Sequence, residues 1–458
     1  MKSIFIATLL LFGITATSEC STLVMNLTDY ETGNTAVFDI DTGTLTDNVL
    51  PHHQDSYIRT DGSFIYIIEG FGADNISKYA MSDLTAGHQI YQYSVGENTN
   101  PHDIVFFDSK AYVLLYGSDK ILVVNPNAEN VTEFKTGEID ISDWADTDGS
   151  PEAHMGFVYN GMVYVVLQMY DLTSYTNGTA FLLTIDPSTN TIVDMDDETE
   201  GIQGTKLLLK NPQSGSLVGN ILYLGCTTYG MSDEGVMTVD LNNPNDSQKK
   251  IVTETDFGGS VAGIDIYNQT YGLIYTYDEN WNKTAKTFNP QDNETGEFLP
   301  VPDAGGGAVL VDGLLYIASR DFEKPGLYVI SPFTDENPPL HEYYPTELPP
   351  DALIFIDTST PSSIAESVKL PDTFTIKAAY PNPFNPFTTI SFTLTESCNV
   401  NVDVFNISGQ KIHTLVNAFM NSGVYTLQWK AASFSTGLYY IRVSDGVSAQ
   451  TIRATFIK

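Results

Sequence analysis

The chain has 458 residues, more than one hydrophobic core normally holds, so its length predicts two or more domains. Its net charge is −36, with 57 acidic against 21 basic residues, which argues against a nucleic-acid partner because nothing offsets phosphate charge. The three cysteines show neither metal-type spacing nor a disulfide framework, so stability must come from core burial.

The chain opens with a short apolar run. Residues 4–15 are apolar or small behind Lys2, too short a stretch to span a bilayer and typical of a secretory signal peptide, which we place at residues 1–19. Cys20 stands where a lipoprotein carries its acylated cysteine, but Glu19 is unfavourable beside that cleavage site, so ordinary cleavage is the better interpretation. No other long apolar run follows, which predicts an exported mature chain without a transmembrane helix.

A repeat fills the first 350 residues. Its core is a turn followed by a strand with a central tyrosine, as in "DGSFIYII", "DSKAYVLL" and "NGMVYVVL". The aligned tyrosines are Tyr66, Tyr112, Tyr164, Tyr223, Tyr275 and Tyr316, and "TLVMNL" around Met25 fits as an earlier member. Short β-rich runs at steps of 41 to 59 residues are typical of radially arranged four-stranded sheets. The all-β pattern therefore predicts a seven-bladed β-propeller over residues 21–357.

The two ends of this region complement each other. "PPDALIFID", residues 349–357, looks like the strand that precedes each repeat core, yet no core follows it. "TLVMNL" is a core with no strand before it. Pairing the two ends in one blade closes the ring and removes its open edges, whereas the alternative leaves a loose C-terminal strand.

The composition changes after the repeats. From residue 361 onward the net charge is +2, while the remainder carries −38. Residues 358–372, "TSTPSSIAESVKLPD", are small, polar and proline-bearing, and they predict a linker. After a proline-rich hinge come runs of alternating polarity, such as "NVNVDVF". These runs predict an immunoglobulin-like β-sandwich over residues 373–458.

Four stretches of the C-terminal segment carry a specific resemblance. "YPNPFNPFTTISFTL", "VDVFNISGQKIHTLVN", "SGVYTLQWKA" and "STGLYYIRV" resemble, in order and spacing, the type A sorting domain of the type IX secretion system. The resemblance implies that type IX secretion machinery carries the chain across the outer membrane of a Gram-negative, Bacteroidota-like bacterium. The mature protein is then secreted or held at the cell surface, and the sorting domain is commonly cleaved after transit.

The repeat region carries a second, less specific resemblance. "MNLTDYETGNTAVFDIDTGTLTDN" and "NPHDIVFFDSKAYVLLYGSDKILVVNP" resemble bacterial secreted or surface seven-bladed propellers of the quinoprotein-dehydrogenase-like, surface-lipoprotein type. Members of that group include small-molecule binders and proteins without known activity. The resemblance therefore implies a fold rather than a reaction.

Two histidines mark a candidate ligand-binding site. His102 and His154 each lie ten residues before a repeat tyrosine, so we expect them at equivalent positions in neighbouring blades, where the innermost strand begins beside the axial channel. Asp103 directly follows His102, and Glu152 lies two residues before His154. These two acids complete the candidate set. The competing interpretation is that the histidines fill packing positions, and a histidine pair without a third ligand favours it.

One acidic loop is a candidate metal site. "DWADTDGSPE" offers Asp146, Asp148 and Glu152, whose carboxylates suit Ca²⁺ or another divalent cation. The full calcium-loop pattern is not met, so a solvated acidic loop is the competing interpretation. No cofactor is certain, and no Ser/His/Asp set at interpretable spacing identifies a catalytic residue.

These features predict an exported propeller that binds a glycan, a peptide or a small nutrient at its axial mouth. One alternative is a propeller hydrolase or lyase with a metal or histidine site. Another is a structural or adhesive surface protein. The sequence favours binding over catalysis, because it offers no catalytic set at recognisable spacing.

Overall fold

The computed structural model describes fourteen stretches of the chain, residues 21–195, 201–228, 233–253, 260–277, 281–331, 340–357, 374–376, 382, 384–394, 398–406, 411–420, 423–432, 434–444 and 449–458. The chain divides into two compact units, Met1–Ser367 and Val368–Lys458. The predicted signal peptide, Cys20 and the predicted linker lie outside the described residues.

In the described part of the first unit, the strands form seven antiparallel sheets. Sheet 1 consists of β31 (Pro350–Asp357), β1 (Ser21–Thr28), β2 (Gly33–Asp39) and β3 (Thr44–Thr46). Sheet 2 consists of β4 (Ser56–Thr60), β5 (Phe64–Glu69), β6 (Asn75–Ala80) and β7 (Gln89–Ser94). Sheet 3 consists of β8 (Pro101–Phe107), β9 (Lys110–Leu115), β10 (Lys120–Val124) and β11 (Lys135–Asp140).

Sheet 4 consists of β12 (Ala153–Tyr159), β13 (Met162–Leu167), β16 (Phe181–Asp186), β17 (Thr191–Ile192) and β18 (Thr205–Lys206). A hairpin of β14 (Tyr170–Asp171) and β15 (Thr176–Asn177) lies between its second and third strands. Sheet 5 consists of β19 (Pro212–Val218), β20 (Ile221–Cys226), β21 (Gly235–Asp240) and β22 (Lys249–Val252). Sheet 6 consists of β23 (Val261–Ile266), β24 (Gly272–Tyr277), β25 (Lys283–Asn289) and β26 (Glu294–Phe298). Sheet 7 consists of β27 (Ala308–Val311), β28 (Leu314–Ser319), β29 (Gly326–Ile330) and β30 (Leu340–Pro345).

Helical structure is minor. A single-turn helix α1 (Val131–Phe134) and two 3₁₀ turns, Met81–Ala86 and Ser142–Trp144, lie in loops between strands. Among the described residues, no helix is both long enough and apolar enough to cross a membrane.

The repeat tyrosines occupy the second strand of sheets 2 to 7, and Met25 occupies the second strand of sheet 1. All seven side chains are buried. These strands are apolar on both faces, as in Ile65–Ile68, because each sheet packs between two neighbours. Full burial of such a side chain stabilises the fold by about 1.5–3 kcal/mol, so the apolar repeat cores hold the sheets together.

The first strands of the sheets contact one another in cyclic order. Contacts join β31 to β4, β4 to β8, β8 to β12, β12 to β19, β19 to β23, and β27 back to β31. The remaining step, from β23 to β27, is made by Asp265, whose Oδ2 accepts a hydrogen bond from the Ala308 amide at 3.0 Å. The seven first strands therefore form a closed circle.

The predicted pairing of the two ends of the repeat region is confirmed. Strand β31 pairs antiparallel with β1 over its length, with Leu353 opposite Met25. Sheet 1 is thus assembled from the beginning and the end of the region, and β1 has a paired strand on each side, β2 and β31.

In the second unit, the described strands form two sheets. The first has the order β32 (Phe374–Ile376), β33 (Phe387–Leu394) and β36 (Gly423–Lys430). The second has the order β35 (Lys411–Met420), β34 (Cys398–Phe405), β37 (Gly437–Ser444) and β38 (Ala449–Phe456). The sheets share one core, in which Trp429 of the first packs with Val402 and Ile441 of the second. Alternate residues of β34 point into this core because side chains alternate across a strand.

Candidate functional site

Five first strands begin with a β-bulge at an equivalent position. The residues that the ladder skips are His102 in β8, His154 in β12, Gln213 in β19, Ala262 in β23 and Asp351 in β31. A bulge adds one residue on one side of the ladder and re-aims its side chain. The two predicted histidines therefore share one place in the repeat, at the start of the first strand.

His102 and His154 are hydrogen-bonded to each other. Their Nδ1 atoms lie 3.1 Å apart, and the rings meet edge to face. The Nε2 atom of His154 lies 3.4 Å from the carbonyl oxygen of Gln213, so it carries a proton and its Nδ1 accepts from His102. The Nε2 atom of His102 then accepts from the hydroxyl of Tyr57 at 3.5 Å. All four ring nitrogens are engaged, and burial lowers the pKa of both histidines, which keeps them neutral near pH 7.

Tyr116 connects this histidine chain to the acidic loop. Its ring stacks on His102 with centroids 4.1 Å apart, and its hydroxyl donates to Gln168 Oε1 at 2.5 Å. The backbone carbonyl of Tyr116 accepts a hydrogen bond from the hydroxyl of Ser150. Burial, and then the charge of Glu152, raise the pKa of Tyr116. The two candidate sites are therefore close neighbours.

Asp103 joins adjacent sheets. Its Oδ1 accepts from Arg59 Nε of β4 at 2.6 Å, and its Oδ2 accepts from the Gly156 amide of β12 at 2.9 Å. The carboxylate thus ties three consecutive first strands together. Equivalent bonds between other sheets are Ser214 Oγ with the Ile264 amide at 2.9 Å and Asp265 Oδ2 with the Ala308 amide at 3.0 Å. Asp103 lies beside the histidines, but both of its oxygens hold the ring together.

Asp146, Asp148 and Glu152 come together in the loop before β12. Each offers one oxygen, and these oxygens lie within 4.8 Å of one another. Backbone amides fix the loop: Asp148 accepts from Ser150 at 3.1 Å and from Leu172 at 2.8 Å. The carboxylates are therefore held close together despite their like charge.

Glu152 is the unusual member of this cluster. It is fully buried, and its φ of 49° lies in the left-handed region that non-glycine residues rarely adopt. Its Oε2 accepts from the Tyr170 amide at 2.9 Å, but its Oε1 is buried with no hydrogen-bond partner among the described residues. Burial, followed by the charges of Asp148 and Asp146, raises the pKa of Glu152 to about 9. An unpaired buried polar atom is costly and requires an explanation.

A divalent cation fits this donor set. Three carboxylates without a thiolate or imidazole suit a hard cation such as Ca²⁺. The cation would give the unpaired Oε1 of Glu152 a partner and offset the repulsion among the acids. It would also replace the proton that Glu152 holds, so its binding would release a proton.

Sequence reasoning missed Tyr57, Tyr116 and Gln168 as members of the site. Tyr116 and Gln168 each follow a repeat tyrosine by four residues, and Arg320 stands at the same offset in sheet 7. The signal was therefore present in the aligned repeats, as a polar residue at the end of the second strand. Tyr57 had no such signal, because it lies in β4, the first strand of its sheet.

The family match falls in the second unit. Residues 378–458 match the family model of the secretion system C-terminal sorting domain. A comparison with curated proteins gives no match. The predicted resemblance of the C-terminal segment is confirmed, and a sorting tail of this kind indicates export to the cell surface or extracellular space in Bacteroidetes-type bacteria.

Three solved structures are similar to most of the chain at low identity. Apo AztD from Citrobacter koseri is 13% identical, with 90% of this chain and 98% of that chain covered and a TM-score of 0.43. The WD40 domain of Toxoplasma gondii coronin is 9% identical, with 82% and 84% covered and a TM-score of 0.42. PorZ, a bacterial surface component of the type-IX secretion system of Porphyromonas gingivalis, is 8% identical, with 93% and 85% covered and a TM-score of 0.28.

Proposed function

We propose that this chain is an exported seven-bladed β-propeller that binds an extracellular ligand at its axial mouth through a divalent cation. The cation is held by Asp146, Asp148 and Glu152. The closed circle of first strands supports seven blades over residues 21–357. The shared core of the two C-terminal sheets supports an immunoglobulin-like sandwich over residues 373–458. We assign residues 1–19 to a cleaved signal peptide and residues 358–372 to a linker.

The buried and unpaired Oε1 of Glu152 carries this proposal. A solvated acidic loop leaves its carboxylates in water, whereas Glu152 is fully buried at the base of the cluster. Ca²⁺ takes about six to eight oxygen ligands, so three carboxylates leave several positions open. Hydroxyl or carboxylate oxygens of a glycan, a peptide or a small nutrient complete the coordination, which makes ligand binding dependent on the cation.

The geometry favours binding over catalysis. A histidine that acts as a base or holds a metal needs a ring nitrogen available to the substrate or ion. All four ring nitrogens of His102 and His154 are hydrogen-bonded within the protein. The alternative of a histidine-dependent hydrolase or lyase therefore requires at least one of these hydrogen bonds to break first.

Titration calorimetry on the chelator-treated protein tests the cation site. We expect Ca²⁺ to bind, and Glu152→Gln to weaken its affinity by tenfold or more, because one charged ligand is lost. Asp143→Asn is the matched control, since Asp143 is an exposed acid in the adjoining 3₁₀ turn, outside the cluster. The proposal fails if the chelator-treated protein binds no divalent cation, or if Glu152→Gln binds it as well as the unaltered chain does.

Deletion of residues 378–458 tests the export role. In a bacterium with a type IX secretion system, we expect the shortened protein to remain in the periplasm, as measured by cell fractionation and surface proteolysis. A full-length chain expressed at the same level is the control. Unchanged surface delivery of the shortened protein would remove the sorting assignment.

A further inference from the structure

Exposed apolar side chains recur on the loops between second and third strands. In a four-stranded meander this loop lies at the same end as the start of the first strand, so these loops share the end that carries His102 and His154. The side chains are Tyr30 (62% exposed), Phe71 (75%), Leu172 (48%), Tyr175 (71%), Trp281 (66%) and Phe322 (65%). Large apolar side chains repeatedly exposed on one end mark an interaction surface rather than a core.

Two of these loops hold their aromatic residue in the same way. The Oδ1 atom of Asp29 accepts hydrogen bonds from the amides of Glu31, at 3.0 Å, and Thr32, at 2.7 Å. Tyr30 is the residue between Asp29 and these two amides. Asp321 makes the same two bonds around Phe322, at 2.8 and 2.7 Å. Tyr30 and Trp281 also have positive φ angles, of 69° and 66°. Such strain is typically retained where the position serves a function.

Tyr30, Trp281 and Phe322 converge on one pocket of about 190 Å³, which Tyr277 also lines. The rings of Tyr30 and Phe322 have centroids 6.4 Å apart, and those of Tyr277 and Trp281 lie 5.6 Å apart. The residues come from sheets 1, 6 and 7, which ring closure makes neighbours. Four aromatic side chains therefore line the pocket together.

The remaining lining is charged, and it comes from Lys283, Asp303 and Arg320. Arg320 has partners: its Nη1 lies 2.7 Å from Asp351 Oδ1, and its Cζ lies 5.4 Å from the centre of the Tyr30 ring. Among the described residues, Lys283 Nζ has no hydrogen-bond or ion-pair partner. Burial and the charge of Arg320 lower the pKa of Lys283. A ligand oxygen that reaches Lys283 can therefore accept a hydrogen bond from its ammonium group.

We propose that this pocket binds a sugar ring of a carbohydrate chain. A pyranose has apolar C–H faces that stack on aromatic rings, and its hydroxyls donate to carboxylates and accept from ammonium groups. A purely apolar ligand would desolvate Lys283 without an acceptor. A polyanion would be repelled by the net charge of −36. A neutral glycan satisfies both conditions.

Tryptophan fluorescence offers a direct binding test on the chain with its sorting domain retained. Of its three tryptophans, Trp144 and Trp429 are buried, so a ligand-induced change in emission and in acrylamide quenching reports on Trp281. The probes are maltohexaose, cellohexaose, xylohexaose, mannohexaose and chitohexaose, with hexagalacturonate as the anionic comparison. We expect at least one neutral hexasaccharide to change the emission saturably and to protect Trp281 from quenching.

Calorimetry on variants locates the binding. We expect Trp281→Ala and Phe322→Ala to weaken hexasaccharide affinity by tenfold or more, because aromatic anchors dominate such sites. Phe71→Ala is the matched control, since Phe71 is an exposed aromatic on the equivalent loop of sheet 2 but does not line the pocket. It should change the affinity less than twofold. Circular dichroism of each variant confirms that it is folded.

Three results overturn the carbohydrate proposal. The first is that every neutral hexasaccharide binds with a dissociation constant above about 10 mM. The second is that Trp281→Ala binds as tightly as the unaltered chain. The third is that hexagalacturonate alone binds, which would make the pocket an anion site. The pocket is separate from Asp146, Asp148 and Glu152, so binding measured in EDTA distinguishes failure here from failure of the cation proposal.

Discussion

The histidine chain and the acidic loop lie side by side at the start of first strands, yet they differ in how their polar atoms are satisfied. His102 and His154 use every ring nitrogen within the protein. Glu152, two residues before His154, keeps one buried oxygen without a partner among the described residues. Satisfied polar groups stabilise a fold, whereas a buried unsatisfied oxygen is costly and is open to a ligand. We therefore propose that the histidines are structural and that the acids form the binding site.

The largest expected effect is the loss of stability when Asp103 is replaced, because both of its carboxylate oxygens are hydrogen-bonded within the protein. Asp103→Ala removes the acceptor of Arg59 and of the Gly156 amide, so we expect the free energy of unfolding to fall by about 3 kcal/mol, measured by urea denaturation. Glu138→Gln, which breaks the exposed ion pair with Lys135, is the control and should cost less than about 1 kcal/mol. If Asp103→Ala leaves stability intact but abolishes cation binding, Asp103 belongs to the binding region instead.

Replacing both histidines tests the same division. His102→Ala with His154→Ala removes two packed rings and strands the hydroxyl of Tyr57, so we expect a loss of about 2 kcal/mol in unfolding free energy and unchanged Ca²⁺ affinity. The exposed His88→Ala serves as the control. A double variant with an unchanged melting temperature and a lost cation or ligand would place the histidines in the binding site.

Glu152 is also expected to make the stability of the protein depend on pH. Its pKa is about 9 in the folded chain against an ordinary 4.5, so between these values the folded state binds more protons than the unfolded state. Stability without a cation should therefore fall as the pH rises through this range. Saturating Ca²⁺ should flatten the decline in melting temperature, and Glu152→Gln should abolish it. An equal decline in the unaltered chain and in Glu152→Gln would assign it to other groups.

Much of the first unit was predictable because each repeat is a local pattern. A turn, an apolar strand and a central tyrosine recur at steps of 41 to 59 residues, and the unmatched ends at residues 349–357 and around Met25 implied the closing pair. The grouping of Asp146, Asp148 and Glu152 followed from short sequence separation. Local spacing is thus enough where the chain itself keeps residues together.

The rest of the site depended on contacts between sheets. Asp103 reaches Arg59 and Gly156, which lie 44 and 53 residues away, and no spacing rule reveals such a bond. Tyr30 and Trp281 are farther apart still, and they share a pocket because the ring closes. The bulges that set the positions of the histidines arise from strand register, which a single sequence does not display.

The late position of strand β31 in the sequence has a consequence for truncated chains. It completes sheet 1 from residues that are made after all the other strands of the first unit, and the sorting domain at residues 378–458 comes later still in the chain. A chain truncated before Pro350 therefore lacks both the closing strand and the sorting domain. Any chain that is made as far as the sorting domain also contains the strand that closes the ring. Proteolysis beyond Asp357 can release the tail from a finished ring, whereas a cut before Pro350 separates the closing strand from it.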